Sequence, residues 1–310
     1  MLWILLVLVY GVLKGVREVV KKKSLEKSTV MEVLIIYTLL AFLMVVPDYK
    51  NAMGVPLELM IWIAFKSFII FVAWICSFKA IDKMPISLYG VLDLSRVLFA
   101  TLLGTVVLGE VLSIPQMIGL VFVSIGLLML KRKGKGPVKI DSCQHDGPLI
   151  SKNKSEKHST ERIKRYGIEK VDAKYVVIAI ISCMLNALSG LMDKILMKSV
   201  NSSQLQFWYM LFLVLMYIIY IVMTKTKIRW KLVIKNHWIW ILSLLFIIAD
   251  RALFIANGMP DSKVTIMTLI KQSGCIVTIL AGKFVFKEKN IGYKLLCAAI
   301  VVAGIVIAVM

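Results

Sequence analysis

The chain has 310 residues, of which 59% are hydrophobic, and its mean hydropathy is +0.85. Soluble globular proteins average about 45–50% apolar residues, so this composition excludes an ordinary soluble enzyme and, even more clearly, a disordered chain. A hydrocarbon core about 30 Å thick takes roughly 20 helical residues per crossing, so ten crossings use about two thirds of a chain of this length. The composition predicts an all-α polytopic membrane protein.

The formal net charge is +20, a value that also occurs in nucleic-acid-binding proteins. The lysines and arginines lie mostly between the apolar runs, however, and basic loops are the ordinary mark of the cytoplasmic side of a membrane protein. We therefore expect no nucleic-acid partner. The five cysteines form no close pairs and the three histidines are scattered, a pattern that predicts neither a disulfide framework, nor a metal site, nor a cofactor.

Apolar runs of helical length follow one another in two groups of five. The first run opens the chain and ends at the basic stretch Lys21–Lys23. Because a signal peptide carries its basic residues before the apolar core, we expect this run to be a retained helix. The other runs lie at 30–47, 57–80, 84–108, 113–131, 175–196, 204–224, 237–258, 262–286 and 290–309. The sequence thus predicts one five-helix unit in residues 1–131, a polar basic linker in 132–174 and a second five-helix unit in 175–310.

Two motifs recur in the same order in both units. Met84-Pro85-x-Ser87 opens the fourth helix, and Met259-Pro260-x-Ser262 opens the ninth. Leu13-x-Gly15-x-x-Glu18 in the first helix has its counterpart in the sixth, Leu188-x-Gly190-x-x-Asp193. Because five is an odd number, the second unit must enter the membrane from the opposite side. We therefore expect ten transmembrane helices as two inverted five-helix repeats, an architecture of secondary transporters that places the substrate near the midplane between the halves.

The junction between the fourth and fifth helices has a recognisable pattern. It reads Gly109-Glu110-Val111-Leu112-Ser113, followed by Gln116, Gly119 and Gly126, and its second copy is reduced to Lys287-Glu288 with Gly304. This junction resembles that of the EamA-like branch of the drug/metabolite transporter (DMT) superfamily. The resemblance covers nearly the whole chain outside the linker and implies two five-helix repeats and a transport activity. The mid-helix proline common in the fourth and ninth helices of that family is absent here, and charged residues stand close to its place.

Basic residues concentrate in alternate loops. One set of loops contains the Lys21–Lys23 stretch, the linker and the segment 225–235, whereas the opposite set holds little more than Lys50, Lys194, Lys198 and Lys263. The positive-inside rule predicts a multi-pass protein of the plasma (inner) membrane with the linker in the cytoplasm and both termini outside. The resemblance implies cytoplasmic termini instead, so the two arguments disagree, and we follow the loop charge.

Two cations are predicted near the bilayer centre. Arg96 in the fourth helix and Lys271 in the ninth occupy the same place when counted from Pro85 and Pro260. A charge at this depth costs about 2.5–3.5 kcal/mol on insertion scales, and two such cations facing one central cavity are suited to a carboxylate or phosphate. The alternative is a structural ion-pair network, because Asp93 lies three residues before Arg96 on the same helix face. We take Arg96, Lys271 and Asp93 as the candidate substrate-binding residues.

Further charged or aromatic residues in the apolar runs are candidates for coupling or for lining the cavity. Asp250 is the best candidate for a protonatable coupling group and a possible partner for Lys271, whereas Lys66 has no local partner and either lines the cavity or reaches the interface. For Glu18 and Asp193, whose neighbours are Arg17 and Lys194, we expect structural or interfacial pairing more than a proton relay. The full candidate set is Asp250, Arg251, Lys66, Glu18, Asp193 and Trp74.

Three functions are compatible with this pattern. The first is a secondary transporter of small polar or anionic metabolites (amino-acid, carboxylate or phosphate-bearing), working by alternating access as a monomer with a small-molecule substrate in the lipid bilayer. The second is a non-transporting receptor or scaffold that uses the linker. The third is a membrane-embedded lipid-linked transferase, although the sequence has no P-loop, no His-Glu-x-x-His and no paired-Asp motif. We favour the transporter and expect no enzymatic activity.

Overall fold

The computed structural model describes residues 2–109, 111–132, 172–262, 264–288 and 291–309. Those residues form helices and no strand, as predicted. Besides short pieces at Tyr49–Ala52 and Trp230–Ile234, the helices are α1 (Leu2–Leu25), α2 (Val30–Val45), α3 (Leu57–Lys83), α4 (Ile86–Leu92), α5 (Arg96–Leu108), α6 (Ile114–Arg132), α7 (Ala173–Leu196), α8 (Ser202–Thr224), α9 (His237–Gly258), α10 (Val264–Lys271), α11 (Gly274–Phe284) and α12 (Ile291–Val309). Glu110 of the junction motif and most of the predicted linker lie outside the described residues.

Six helical segments in the described ranges are long and apolar enough to cross a membrane. They are Val30–Ala52, Leu57–Lys83, Ile86–Leu108, Ala173–Leu196, Ser202–Thr224 and His237–Gly258. Shorter apolar helices cover Ile114–Gly126, Gly274–Phe284 and Gly292–Gly304. Large apolar side chains such as Leu57, Ile61 and Val106 are exposed on the outer faces, where hydrocarbon tails satisfy them. The chain is a multi-pass helical membrane protein.

The fourth and ninth predicted helices are interrupted, which corrects the expectation of continuous helices. Between α4 and α5 a single 3-10 turn covers Asp93–Ser95, and the N–H of Arg96 donates to the carbonyl oxygens of Asp93 and Leu94. Between α10 and α11 the turn lies at Gln272 and Ser273, where the Ser273 N–H donates to the Ile270 carbonyl. Short 3-10 stretches within helices often mark hinges. Arg96 and Lys271 therefore stand at helix ends, one at the start of α5 and the other at the end of α10.

Contacts between the two groups of helices are reciprocal. Helix α1 packs on α9, and α7, the first helix of the second group, packs on α3. In the same way α1 packs on α10 and α11, while α7 packs on α5 and α4. Helix α2 packs against α8, and α6 against α12. Each of these contacts has a counterpart with the two groups exchanged. The two groups of helices therefore pack against each other in equivalent ways.

One carboxylate ties the second group of helices to the first turn of α4. Glu288, which precedes α12, accepts hydrogen bonds from the backbone N–H of Ile86 at 2.7 Å and of Ser87 at 3.3 Å, and also from the Ser87 hydroxyl. The first N–H groups of a helix have no partner within it and favour a negative charge. Lys294 pairs with the same carboxylate at 3.3 Å. The reduced Lys287-Glu288 copy of the junction motif thus serves as a helix cap supplied from the other half.

A second link between the halves lies at the polar end of α2. The Glu32 carboxylate forms two hydrogen bonds with the guanidinium of Arg229, at 2.9 and 2.8 Å, and one with its backbone N–H at 3.0 Å. These hydrogen bonds raise the pKa of the Arg229 side chain. Because the Arg229 side chain is 55% exposed, water screens the pair and its contribution to stability is small.

Candidate functional site

A cavity of about 60 Å³ lies between α1, α3, α5, α7, α8 and α9. Its volume is enough for a few water molecules. Charged residues from five helices line it: Arg17, Lys66, Arg96, Asp193 and Asp250. Three cations therefore face two acids, and the wall carries an excess of positive charge. Half of the remaining lining is aromatic, with Tyr10, Trp74, Tyr209 and Phe246 among its members.

The first ion pair in this wall connects α1 with α9. The guanidinium of Arg17 lies 3.4 Å from the Asp250 carboxylate, and both side chains are about nine-tenths buried. The Tyr209 hydroxyl donates a hydrogen bond of 3.2 Å to the other carboxylate oxygen. Arg17 also lies over the ring of Phe246, 5.2 Å from its centroid. Asp250 is thus held by two partners, and neither is Lys271, so the expected Asp250–Lys271 pair is wrong for the described structure.

The second ion pair connects α7 with α3. The ammonium of Lys66 lies 2.9 Å from the Asp193 carboxylate. The same ammonium lies 3.8 Å from the centroid of the Tyr209 ring, a favourable cation–π distance. Lys66 therefore has a partner from the other half of the chain, which its own helix did not reveal. The two pairs each connect the first helix of one half to the third helix of the other, with the signs of the charges exchanged.

Arg96 belongs to a three-membered charge cluster. Its guanidinium donates to Asp93 at 2.8 Å, and the other oxygen of Asp93 accepts from the Lys14 ammonium. Lys14 also donates to the side-chain carbonyl of Gln272 at 3.4 Å, so it links the two helix interruptions. The Nε of Arg96 is buried and has no hydrogen-bond partner among the described residues. One acid is shared by two cations, and one of them, Arg96, lines the cavity.

Lys271 stands next to the cavity without lining it. Its ammonium lies 5.7 Å from the centroid of the Tyr10 ring, and Tyr10 is part of the wall. Lys271 is buried, with 8% of its surface exposed. No carboxylate of the described residues forms a salt bridge with it. Arg96 and Lys271 are therefore both near the central space, as the repeat predicts, but only Arg96 contributes to its surface.

The other predicted residues fall into three places. Trp74, Lys66, Asp193 and Asp250 line the main cavity with Arg96. Asp93 and Glu18 instead line a smaller void of about 10 Å³, where Glu18 pairs with Lys21 at 2.8 Å. Arg251 lies away from both spaces, where it pairs with Asp48 and donates to the Ser203 hydroxyl at 2.6 Å.

Glu18 and Asp193 each form an ion pair in the described structure, but not with their sequence neighbours Arg17 and Lys194. Both acids are buried, and each finds another partner. The partner of Glu18 is Lys21, one turn further along α1, and that of Asp193 is Lys66 on α3. The reason is the orientation of the helix faces, since residues adjacent in sequence point about 100° apart.

Sequence reasoning missed several residues of the wall. They include Tyr10, Arg17, Asn186, Ser189 and Phe246. A signal for part of this set was present: Asn186, Ser189, Gly190 and Asp193 have the spacing of one helix face, and they form a polar stripe on an otherwise apolar helix. Tyr10 and Arg17 are likewise two turns apart on α1.

The model of the EamA-like transporter family matches residues 1–132 and 173–310, the two regions on either side of the linker. A crystal structure of another protein is similar over 99% of this chain and 95% of that chain, with a TM-score of 0.62 at 12% sequence identity. That identity is low, so the likeness concerns the fold alone. No curated protein matches the chain. Because the family match covers most of the sequence and the described helices are long and apolar enough for membrane spans, the chain belongs to the EamA-like transporter family and is a membrane transporter of the drug/metabolite transporter type.

Proposed function

We propose that this chain is a secondary transporter that moves small polar or anionic metabolites, bearing a carboxylate or phosphate, across the plasma membrane by alternating access. The single observation that carries the substrate class is the position of Arg96 in the cavity wall. Its guanidinium has a buried Nε without a described partner, and Asp93, the acid that pairs with it among the described residues, is shared with Lys14. An anion can therefore bind Arg96 while Asp93 remains paired with Lys14.

The architecture supports alternating access. The reciprocal contacts between the two groups of helices support a division into repeats at 1–131 and 175–310. A cavity of about 60 Å³ is too small for most metabolites, since it holds only a few waters. The helices must therefore separate to admit a substrate. We place ten crossings in the bilayer, with the linker in the cytoplasm and both termini outside, on the loop-charge argument. The transporter works as a monomer because one chain encloses the whole cavity.

The energy for transport comes from a gradient of an ion or of the substrate in this proposal. The chain has no nucleotide-binding motif, and it is not expected to act as an enzyme. The two ion pairs Arg17–Asp250 and Lys66–Asp193 each span from one half to the other. Because they cross the interface between the halves, relative movement of the halves has to rearrange them.

The test is thermal stabilisation of the detergent-purified protein by a panel of acidic, neutral and basic metabolites. A ligand that binds only the folded state stabilises it by about 2.7 kcal/mol at a hundredfold excess over its Kd. We expect acidic metabolites to stabilise the wild type and Arg251→Met, a matched control whose arginine lies outside the cavity, but not Arg96→Met. The Arg96→Met variant should still fold because Asp93 keeps Lys14 as its partner.

Uptake of the ligand found in this way into proteoliposomes then tests transport. If no acidic metabolite stabilises the wild type, or if Arg96→Met retains the whole shift, the proposed substrate class is wrong. Stabilisation without uptake would instead favour a receptor that does not transport.

A further inference from the structure

The described helices hold more buried cations than acids around the main cavity and the two helix interruptions. The buried or nearly buried cations there are Lys14, Arg17, Lys21, Lys66, Arg96 and Lys271, and the acids there are Glu18, Asp93, Asp193 and Asp250. Within this set the positive charges exceed the negative ones by two, since the other buried acid, Glu32, pairs with Arg229 at the polar end of α2. This excess is a property of the helix interior and is separate from the basic loops.

The salt bridges locate the excess. Arg17, Lys21 and Lys66 each have an acid of their own. The other three cations have only Asp93 among them: it pairs with Lys14 and with Arg96. Lys271 has the Tyr10 ring as its neighbour, at 5.7 Å. One unit of uncompensated charge therefore belongs to the pair of Lys14 and Arg96, and the second belongs to Lys271.

An uncompensated buried charge is unfavourable, because removing an ion from water is repaid only by an opposite charge nearby. Both excess charges lie around the same cavity. Arg96 lines it, and Lys271 is next to Tyr10, which also lines it. The charges that act on Lys271 include two residues of the cavity wall that are already engaged by other cations, Asp193 and Asp250. An anion inside the cavity is the one partner that can offset both.

We propose that the ligand of this site is a compact dianion, a dicarboxylate or a phosphate monoester, with one negative charge opposite Arg96 and the other towards Lys271. This inference rests on the proposed function and makes its substrate class more specific. A single ligand with two charges is favoured over two separate anions because the cavity, of about 60 Å³, must already widen to admit one ligand. A monoanion leaves one of the two excess cations without a counter-charge.

A series of ligands of equal shape separates these charge states. Succinate, succinamate and succinamide carry two, one and no negative charges on the same four-carbon frame, and methyl phosphate at pH 8 places two charges on one group. Thermal stabilisation of the purified full-length protein gives the Kd for each. We expect succinate or methyl phosphate to bind about tenfold or more tightly than succinamate, a difference of about 1.4 kcal/mol, and succinamide to give no shift. Which of the two dianions binds more tightly distinguishes a dicarboxylate site from a phosphate site.

Two variants complete the design. Lys271→Met should bring the affinities for succinate and succinamate close together, because the second cation is gone. Lys79→Met is the matched control, since Lys79 is exposed near the end of α3, and it should keep the wild-type preference. If Lys271→Met fails to fold, the comparison of succinate with succinamate on the wild type still tests whether the site prefers a dianion.

The outcomes distinguish the two levels of the proposal. Equal binding of succinate and succinamate to the wild type, lost in Arg96→Met, overturns the dianion inference but leaves the anion transporter intact. It would mean that Lys271 does not bind the second negative charge of the ligand. If none of the acids in the series or in the wider metabolite panel stabilises the protein, the proposed function itself is wrong.

Discussion

The first helices of the two halves, α1 and α7, carry a glycine at the same place in the repeat, and the two glycines have opposite surroundings. A Cβ added to Gly15 of α1 would lie 2.6 Å from the carbonyl oxygen of Gly274 and 2.6 Å from the Cβ of Val277. A Cβ added to Gly190 of α7 would meet nothing within 4 Å, and Gly190 lines the main cavity. The repeat therefore determines which helices are neighbours. The side chains at each contact determine whether two neighbouring helices pack tightly, as at Gly15, or leave a cavity between them, as at Gly190.

The two helix interruptions also occupy equivalent places in the repeat but are stabilised by different interactions. The turn between α4 and α5 is held by charge, with Asp93 between Lys14 and Arg96. The turn between α10 and α11 is held by close backbone packing, because a Cβ on Gly11 would lie 3.1 Å from the Ile270 carbonyl oxygen and 3.3 Å from the Lys271 carbonyl oxygen. Since the second turn contains no acid, Lys271 has no carboxylate comparable to Asp93. Because of this difference between the halves, Arg96 and Lys271 are the cations that remain able to bind an anionic ligand.

Asp93→Asn removes the charge that holds the first turn and should have the largest effect. It leaves Lys14 and Arg96 buried without an acid, and breaking a buried pair in this way costs about 3–5 kcal/mol. The measurement is the free energy of unfolding of the detergent-purified protein, or the fall in its thermal midpoint. As a control, the double variant Lys14→Met/Asp93→Asn removes one of the stranded cations and should recover part of the loss. A single variant within about 1 kcal/mol of the wild type, the usual value of an exposed pair, would show that charge does not hold this turn.

Gly15→Ala and Gly190→Ala test the contrast between α1 and α7 directly. Overpacking at Gly15 should cost about 1–3 kcal/mol, because backbone atoms of Gly274 lie in the path of the new methyl group. At Gly190 the same change should stabilise by up to about 1 kcal/mol, since alanine is the better helix former, but its methyl group enters the cavity and should weaken ligand binding. Equal changes in thermal midpoint for the two variants would contradict the described asymmetry.

Much of the helical architecture follows from hydropathy. The predicted run at 175–196 corresponds to α7 at Ala173–Leu196, and the run at 237–258 to α9 at His237–Gly258, because apolar stretches of this length have few other stable forms in a bilayer. Hydropathy could not predict the breaks in the fourth and ninth predicted helices. Residues 93–95 and 272–273 lie inside runs that are apolar enough for a whole helix, and the usual sign of a break, a proline, is absent from both.

The residues of the site could be predicted only in part from the sequence, and the reason is physical. A buried charge shows that a partner must exist, so Lys66, Arg96, Asp193 and Asp250 stood out. The identity of the partner depends on which faces of distant helices meet. The pairs Lys66–Asp193 and Arg17–Asp250 each join different halves of the chain, and no local spacing specifies them. Arg96 and Asp93 were predicted as a possible pair because both lie on one helix face.

The second helices of the two halves offer the smallest and most symmetric test. Helix α2 begins with a capping box of Thr29 and Glu32, and α8 begins with one of Asn201 and Gln204. Loss of such a cap costs about 0.5–2 kcal/mol, so Thr29→Ala and Asn201→Ala should each lower the thermal midpoint slightly. Asn201→Ala should have the larger effect, because its side chain accepts from Gln204 at 2.8 Å whereas Thr29 accepts from Glu32 at 3.4 Å. Glu32 also keeps Arg229 as a partner when Thr29 is lost. A larger effect of Thr29→Ala would mean that the two helix starts, alike in sequence position, are not stabilised in the way their hydrogen bonds indicate.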